Sequence, residues 1–242
     1  MRPALLAFLA LFAASAAQAA GMTVLSTGSI TPAAKALAAQ FTRETGTNVV
    51  FGGGRPDKIA ADLKMGGAGD VVLVPGANIA AMPRLQAASV TKLARIAIGV
   101  AVPLGAPLPD ISTPEKFRAA LKAAPRGVSY SDPAIGSSAG PVIDRMLKGP
   151  DFAGVTRKPV KDVAIAALAS GDADIALQMI TELAAAKAVQ LVGPVPDGLD
   201  AVVEFSGGTL AGAPPEAAAF LRYLARPQAA AAWIAAGATP LR

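Results

Sequence analysis

The chain has 242 residues and contains neither cysteine nor histidine, which excludes disulfides, thiolate metal sites, cysteine nucleophiles and any triad with an imidazole base. Its 22 Lys and Arg against 17 Asp and Glu give a net charge of +5, with no block of like charges and no basic run interleaved with aromatics, so no nucleic-acid partner is expected. A 53% apolar fraction at this length supports one large domain or two small ones held by their cores alone.

Residues 1–20 read as a signal peptide. Arg2 is followed by an apolar run from Ala4 to Ala14 and by the small-x-small pattern Ala17-Gln18-Ala19. The run is too short for a membrane span. Cleavage near Ala19 or Ala20 is expected, which makes the mature protein periplasmic; an uncleaved anchor is the alternative. Loss of Arg2 leaves 21 basic against 17 acidic residues, a charge of +4.

MTVLST (22–27) is apolar and β-branched, so a strand is expected there. Thr31-Pro32 then opens a helix, with Thr31 as N-cap, Ala33, Leu37 and Phe41 on one face, and Gly46 as the stop. NVVFGG (48–53) is the next strand, Pro56 to Met65 a short helix, and DVVLVP (70–75) a third strand. These two βαβ units call for a parallel sheet with right-handed crossovers. RIAIGVAVP (95–103) is a longer strand. A second α/β set follows: helix Pro114–Ala124, strand GVSYSD (127–132), helix Gly140–Leu147, helix Val160–Ala169 and strand ADIALQM (173–179). VQLVGPVP (189–196) and AVVEFSGGTL (201–210) return as strands, and helices Pro215–Ala225 and Pro227–Ala236 close the chain. No solenoid repeat is visible.

This order implies two lobes, the second inserted into the first, so that the chain crosses between them twice. Lobe 1 takes residues 21–98 and 193–242, and lobe 2 takes residues 99–192. A ligand cleft is then expected between the lobes at the carboxyl ends of strands. The alternative is a single doubly wound sheet.

Four stretches carry polar groups into that region. LSTGSITP (25–32) sets Thr27, Gly28 and Ser29 at a strand-to-helix turn, where free N–H groups and the helix dipole favour an anion; Ser29 and Thr31 serve equally well as helix caps. FGGGRPDK (51–58) lacks the spacing of a phosphate loop and of a dinucleotide fingerprint. It leaves Gly54 and Arg55 at a strand end, and Arg55 suits bidentate pairing with a carboxylate or tetrahedral oxyanion. Pairing of Arg55 with Asp57 or Asp62 is the alternative. YSDPAIGSSAGPVID (130–144) places Ser137, Ser138 and Ala139 at another helix start. GSSAG matches G-x-S-x-G with Ser138 central, but no histidine exists to serve it and no SxxK replaces it. LASGDADIALQMITEL (168–183) delivers Gln178 and Thr181 at a strand end, either to a ligand or to backbone groups.

Taken together, VLSTGSITPAAKALAAQFTRETGTNVVF, KMGGAGDVVLVP, SYSDPAIGSSAGPVIDRML, SGDADIAL and PPEAAAFLRYLARPQAAAAWIAAGATP resemble the periplasmic substrate-binding proteins of ABC importers, most nearly the molybdate/tungstate-binding group. The resemblance implies a type II periplasmic-binding fold of class α/β: two lobes, each a mostly parallel sheet flanked by helices, joined by two hinge strands. It implies a monomer that holds a small anion in the interlobe cleft for an inner-membrane permease, with no cofactor and no catalysis; a periplasmic ligand sensor of the same fold is the alternative, and an exported enzyme the less favoured one. By position, Ser29 matches the family's serine at the first helix, Ala139 its backbone donor in the "SAG" loop, and Val163 a backbone donor at a later helix start. Two departures mark a divergent branch. Arg55-Pro56-Asp57 stands where the family has a serine, and Gln178-Met179 where it has a tyrosine. The stretch GVAVPLGAPLPDIST (99–113) points the same way. The ligand is left open between an inorganic oxyanion and a small organic acid.

Overall fold

The computed structural model describes residues 21–241, so the signal-peptide expectation for residues 1–20 lies outside the described residues. The first third of the chain builds β1 (Met22–Ser26), α1 (Thr31–Thr45), β2 (Val49–Gly53), α2 (Pro56–Lys64), β3 (Val71–Pro75) and the single turn α3 (Gly76–Ile79). β1 pairs in parallel with both β2 and β3. All five residues of β3 are buried, as a continuous apolar run covered on both faces requires. On α1, Ala33, Ala34, Leu37, Ala38 and Phe41 form the inward stripe.

Thr31 does not cap α1. Ile30 occupies the cap position without a side-chain hydrogen bond, and the Thr31 hydroxyl instead donates to the Thr27 carbonyl at 2.8 Å and meets Ser26 Oγ at 2.6 Å. The three residues thereby stiffen the turn between β1 and α1.

The middle of the chain holds β4 (Thr91–Pro103), α4 (Pro114–Lys122), β5 (Val128–Ser131), α5 (Gly140–Leu147), β6 (Arg157–Val160), α6 (Ala164–Ala169), β7 (Ile175–Met179), α7 (Ile180–Ala185) and β8 (Val189–Pro194). The helix expected over Val160–Ala169 is shorter, because RKPV forms β6, an edge strand paired in parallel with β5. Its adjacent Arg157 and Lys158, with Pro159, hide it in the sequence, and an edge is where a strand tolerates proline. The chain ends in β9 (Val202–Thr209), α8 (Pro215–Ala225), α9 (Ala230–Ala235) and β10 (Ala238–Pro240).

The strands form one curled sheet in the order β2-β1-β3-β9-β4-β7-β5-β6, with β8 and β10 also paired to β4. Each lobe has a parallel trio, β2-β1-β3 or β7-β5-β6, while every pairing of β4 and β9 is antiparallel. The expected "mostly parallel" sheet is thus parallel toward each outer edge and antiparallel where the lobes meet. β4 links them: Thr91 to Ala97 pair with β9, whereas Ile98 to Ala101 pair with β7 and Gly99 to Pro103 with β8. The Ile98 N–H donates to Ala201 O at 2.8 Å, and Val195 N–H donates to Ile98 O at 2.9 Å, so outgoing and returning chains are tied at one residue.

Aromatic contacts secure the packing in each lobe. In lobe 1 Phe41 meets Phe220 and Tyr223 edge-on at 5.3 and 5.2 Å; in lobe 2 Phe117 and Phe152 are 6.1 Å apart. Each such pair adds about 0.5–1.5 kcal/mol beyond the burial of its rings.

Candidate functional site

β1, β2, β5 and β7 all end at the same cleft: the chain leaves them at Ser26, Gly53, Ser131 and Met179. The cleft has a volume of about 180 Å³, room for a small solute rather than a drug-sized one. Ten of the residues singled out in the sequence line it, Thr27, Gly28, Ser29, Gly54 and Arg55 from lobe 1 and Ser137, Ser138, Ala139, Val163 and Gln178 from lobe 2, whereas Thr181 does not.

Close backbone approach shapes the lobe 1 wall. Gly53 has φ +141°, and a Cβ there would lie 2.0 Å from the Ser26 carbonyl oxygen, so only glycine lets β2 end against β1. Arg55 follows and is half-exposed; its Nε is 3.4 Å from Asp57 Oδ1 and its Nη2 3.5 Å from Oδ2. At those distances the pair is loose, leaving most of the guanidinium's donors for a ligand. Asp62, the other candidate partner, pairs with Lys58 at 2.8 Å.

Main-chain donors converge from both sides. Among the described residues, the N–H groups of Gly28, Ser29, Ser138 and Ala139 have no hydrogen-bond partner. α1 and α5 begin just beyond them, so the partial positive charge of both helix starts faces the cleft. Ser137 caps locally, its Oγ accepting from Gly140 N–H at 2.9 Å.

Several side chains do other work than the sequence led one to expect. The Ser29 hydroxyl, expected to serve a ligand, donates across the cleft to Glu182 Oε1 at 2.7 Å. Val163 N–H, also expected to serve a ligand, donates to Asp162 Oδ1 at 2.7 Å. Thr181 bonds backbone, its hydroxyl reaching Ser29 O at 2.9 Å from the opposite lobe. Gln178 Nε2 donates to Glu182 Oε2 at 2.6 Å.

Sequence reasoning missed five lining residues: Ser131, Ile135, Asp162, Met179 and Glu182. Glu182 is the consequential one. It lies in α7, a short helix hidden inside an apolar stretch that reads as a strand running out. Gln178 ends β7 and Glu182 sits in the first turn of α7, so no helical spacing links them in the sequence; the bend between strand and helix brings the two side chains together. Among the described residues no three His, Cys, Asp or Glu side chains gather to hold a metal ion.

Behind the cleft, each helix is pinned by a tyrosine. Tyr130 of β5 donates to Asp144 of α5 at 2.9 Å, and Lys148 pairs with the same carboxylate at 2.6 Å. Burial first, and then the Asp144 carboxylate, push the Tyr130 phenol up to about 12. Burial alone would raise the Asp144 carboxyl, but the hydrogen bonds from Lys148 and Tyr130 outweigh it and hold the group below its ordinary value. In lobe 1 Tyr223 of α8 donates to Glu44 of α1 at 2.6 Å, with Arg226 at 3.3 Å. The bond from Tyr223, then that from Arg226, lowers the Glu44 carboxyl.

The fold recurs in solved structures. The periplasmic molybdate-binding protein of Azotobacter vinelandii superposes with a TM-score of 0.72 at 18% identity, covering 91% of this chain and all of that one. PEB3 with bound L-phospholactate, a protein of Campylobacter jejuni, superposes with a TM-score of 0.68 at 16% identity, covering 90% of this chain and 99% of its own. At such identities the likeness establishes the fold. In sequence the chain is 32% identical to an aconitate isomerase of a Pseudomonas species over 234 residues, covering 91% of this chain and 88% of the relative. Residues 22–239, nearly the whole described chain, match the model of one family, and the chain therefore belongs to the bacterial extracellular solute-binding proteins.

Proposed function

We propose that this protein captures a small anion in its interlobe cleft outside the cytoplasm and delivers it to an ABC permease. The observation that carries this reading is convergence: Arg55 and unpaired N–H groups of two helix starts, one from each lobe, face one small cleft. The expected export signal in residues 1–20, and residues 21–98 plus 193–242 against 99–192 as the two moving bodies, fit the same reading. The change of partners along β4 between Ala97 and Ile98 supports that boundary. Closure would then turn on the tied crossing at Ile98. The protein acts as a monomer in this scheme. A sensor that presents its loaded form to a receptor would use the same site.

Titration calorimetry against molybdate, tungstate, sulfate, phosphate and a panel of di- and tricarboxylates tests it. One tight binder is the expected result. A protein that binds none of them but takes up a neutral solute has some other ligand class.

A second reading has a specific observation in its favour. The relative at 32% identity is an aconitate isomerase, and Glu182 places a carboxylate in the cleft. Isomerising an unsaturated acid by proton shift requires a base that takes a proton at one carbon, with a proton returned at another by the same group or a second one. Ultraviolet absorbance of a cis- or trans-aconitate solution reports it directly. Conversion catalysed by the protein and abolished in Glu182→Gln establishes an enzyme; a flat trace leaves a binding protein.

A further inference from the structure

Two side chains that carry acceptors, Gln178 and Glu182, line the cleft and are bonded to each other. Each oxygen of Glu182 already accepts one hydrogen bond, Oε1 from Ser29 and Oε2 from Gln178 Nε2. A carboxylate oxygen has two acceptor sites, so each keeps a free one. The same bond orients the Gln178 amide, because only its NH₂ group can face a carboxylate. Gln178 Oε1 is thereby turned elsewhere, and it is buried without a partner on a side chain only 4% exposed. A buried acceptor left alone is costly, and few survive in a folded protein without a reason. Gln178 and Glu182 both line the cleft, as does Thr27, whose hydroxyl is also buried and unpartnered.

Charge points the same way. Of the residues that line the cleft, Arg55 is the one cation, while Asp162 and Glu182 are both acidic. A fully deprotonated tetrahedral oxyanion has acceptors only. Placed beside Glu182 it sets lone pairs against lone pairs and a negative charge against another. A ligand that carries both a carboxylate and a hydroxyl meets the donors and the acceptors that line the cleft.

Resting on the anion reading, we propose that the ligand is a hydroxy acid. Its carboxylate pairs with Arg55 and the helix-start N–H groups, and its hydroxyl donates to the acceptor pair of Glu182 and Gln178. Glu182 then sets specificity by rejecting anions that bring no donor.

Matched ligands that differ by one hydroxyl provide the test: malate against succinate, and citrate against propane-1,2,3-tricarboxylate, with molybdate, sulfate and cis-aconitate alongside. Calorimetry on the wild-type protein should show the hydroxylated member of one pair binding at least about tenfold more tightly, since a site built around a hydroxyl discriminates strongly against its absence. In Glu182→Gln that ratio should shrink to within about threefold, and molybdate or sulfate should begin to raise the melting temperature. Should that variant not fold, Gln178→Leu reads the same ratio by removing the buried acceptor. Equal affinity within both pairs, tighter binding of molybdate, sulfate or aconitate than of any hydroxy acid, or a ratio unmoved in the variants overturns the proposal alone. Failure of every anion to bind overturns the anion reading with it.

Discussion

The two helix starts that face each other across the cleft are built alike and finished differently. The lobe 1 turn, Thr27 to Ser29, is closed up. Thr27 and Ser29 are each 2% exposed, Thr31 ties back to Thr27, and Ser29 is bonded through its hydroxyl to Glu182 and through its carbonyl to Thr181. The lobe 2 turn, Gly136 to Ala139, has half-buried Ser137 and Ser138 and is held by local hydrogen bonds alone, such as that from Gly140 N–H to Ser137 Oγ. One wall is rigid and already engaged with the opposite lobe; the other holds hydroxyls that are free to adapt. Preorganised donors bind strongly because little order remains to be imposed on them, and adaptable ones tune the fit. Affinity should therefore respond to lobe 1 and to the contact between lobes more than to the serines of lobe 2.

The largest effect should come from Gly136, where the lobe 2 turn meets lobe 1. It has φ +66°, and a Cβ there would lie 2.6 Å from Asp57 Cγ. Gly136→Val adds strain of about 1–2 kcal/mol for the left-handed conformation and forces the lobes apart. Anion affinity should fall about a hundredfold or more, with small-angle scattering showing a more open molecule. Gly136→Ala should show the same fall to a smaller degree, and adding Asp57→Gly to it should recover the steric part and leave the dihedral part. An unchanged affinity in Gly136→Val would mean that closure over the ligand does not need this contact.

Arg55→Ala comes next. Loss of a charge-assisted pair with the ligand should cost about 2 kcal/mol, or roughly 30-fold in affinity. Arg55→Lys should restore part of it, because an ammonium keeps the charge and loses the fork. The loose bond to Asp57 contributes little by comparison, so the melting temperature should hardly move.

The tyrosine pins sharpen the comparison between lobes. Tyr130 is 1% exposed, whereas the carboxylate of Glu44, the partner of Tyr223, is half-exposed, so Tyr130→Phe should destabilise the protein by about 2 kcal/mol and Tyr223→Phe by less. Because the folded phenol of Tyr130 is raised, its contribution is fully present below pH ~10 and is lost as the pH climbs toward about 12. Denaturant melts across that window should show a fall in wild type that Tyr130→Phe lacks. The lowered carboxyls of Asp144 and Glu44 work in the opposite sense. Their contribution is present above the ordinary carboxylate range and is lost as the pH falls through the depressed folded values.

Much of this architecture is legible in the sequence. The strand–helix order and the four polar stretches place ten residues that do converge, because strand ends and helix starts obey local rules of capping, glycine use and apolar periodicity. What escaped notice is non-local. β6 is an edge strand whose polar face and proline imitate a loop, and only the neighbouring β5 makes it a strand. α7 follows β7 without a break, so Glu182 is invisible as a cleft residue until the lobes are set against each other. Thr31 looks like a cap, yet its hydroxyl finds Ser26 and Thr27 closer to hand. Ser29 lines the cleft, but its partner lies 153 positions away and no local pattern could name it.

The finest test separates the two serines directly. Ser29→Ala removes one of two donors to Glu182 and one bond between lobes, which should cost about 1 kcal/mol of stability and alter affinity through the freed carboxylate. Ser138→Ala touches a hydroxyl with no partner among the described residues, so its melting temperature should match wild type and its affinity should change by less than about fivefold. If the two walls differ as their bonding indicates, the double variant should behave as the sum of the singles, since neither serine shares a partner with the other. Coupling between them, read as an affinity change well beyond that sum, would show instead that one ligand group is held by both walls at once, and the lobe 2 serines would then belong to the rigid part of the site.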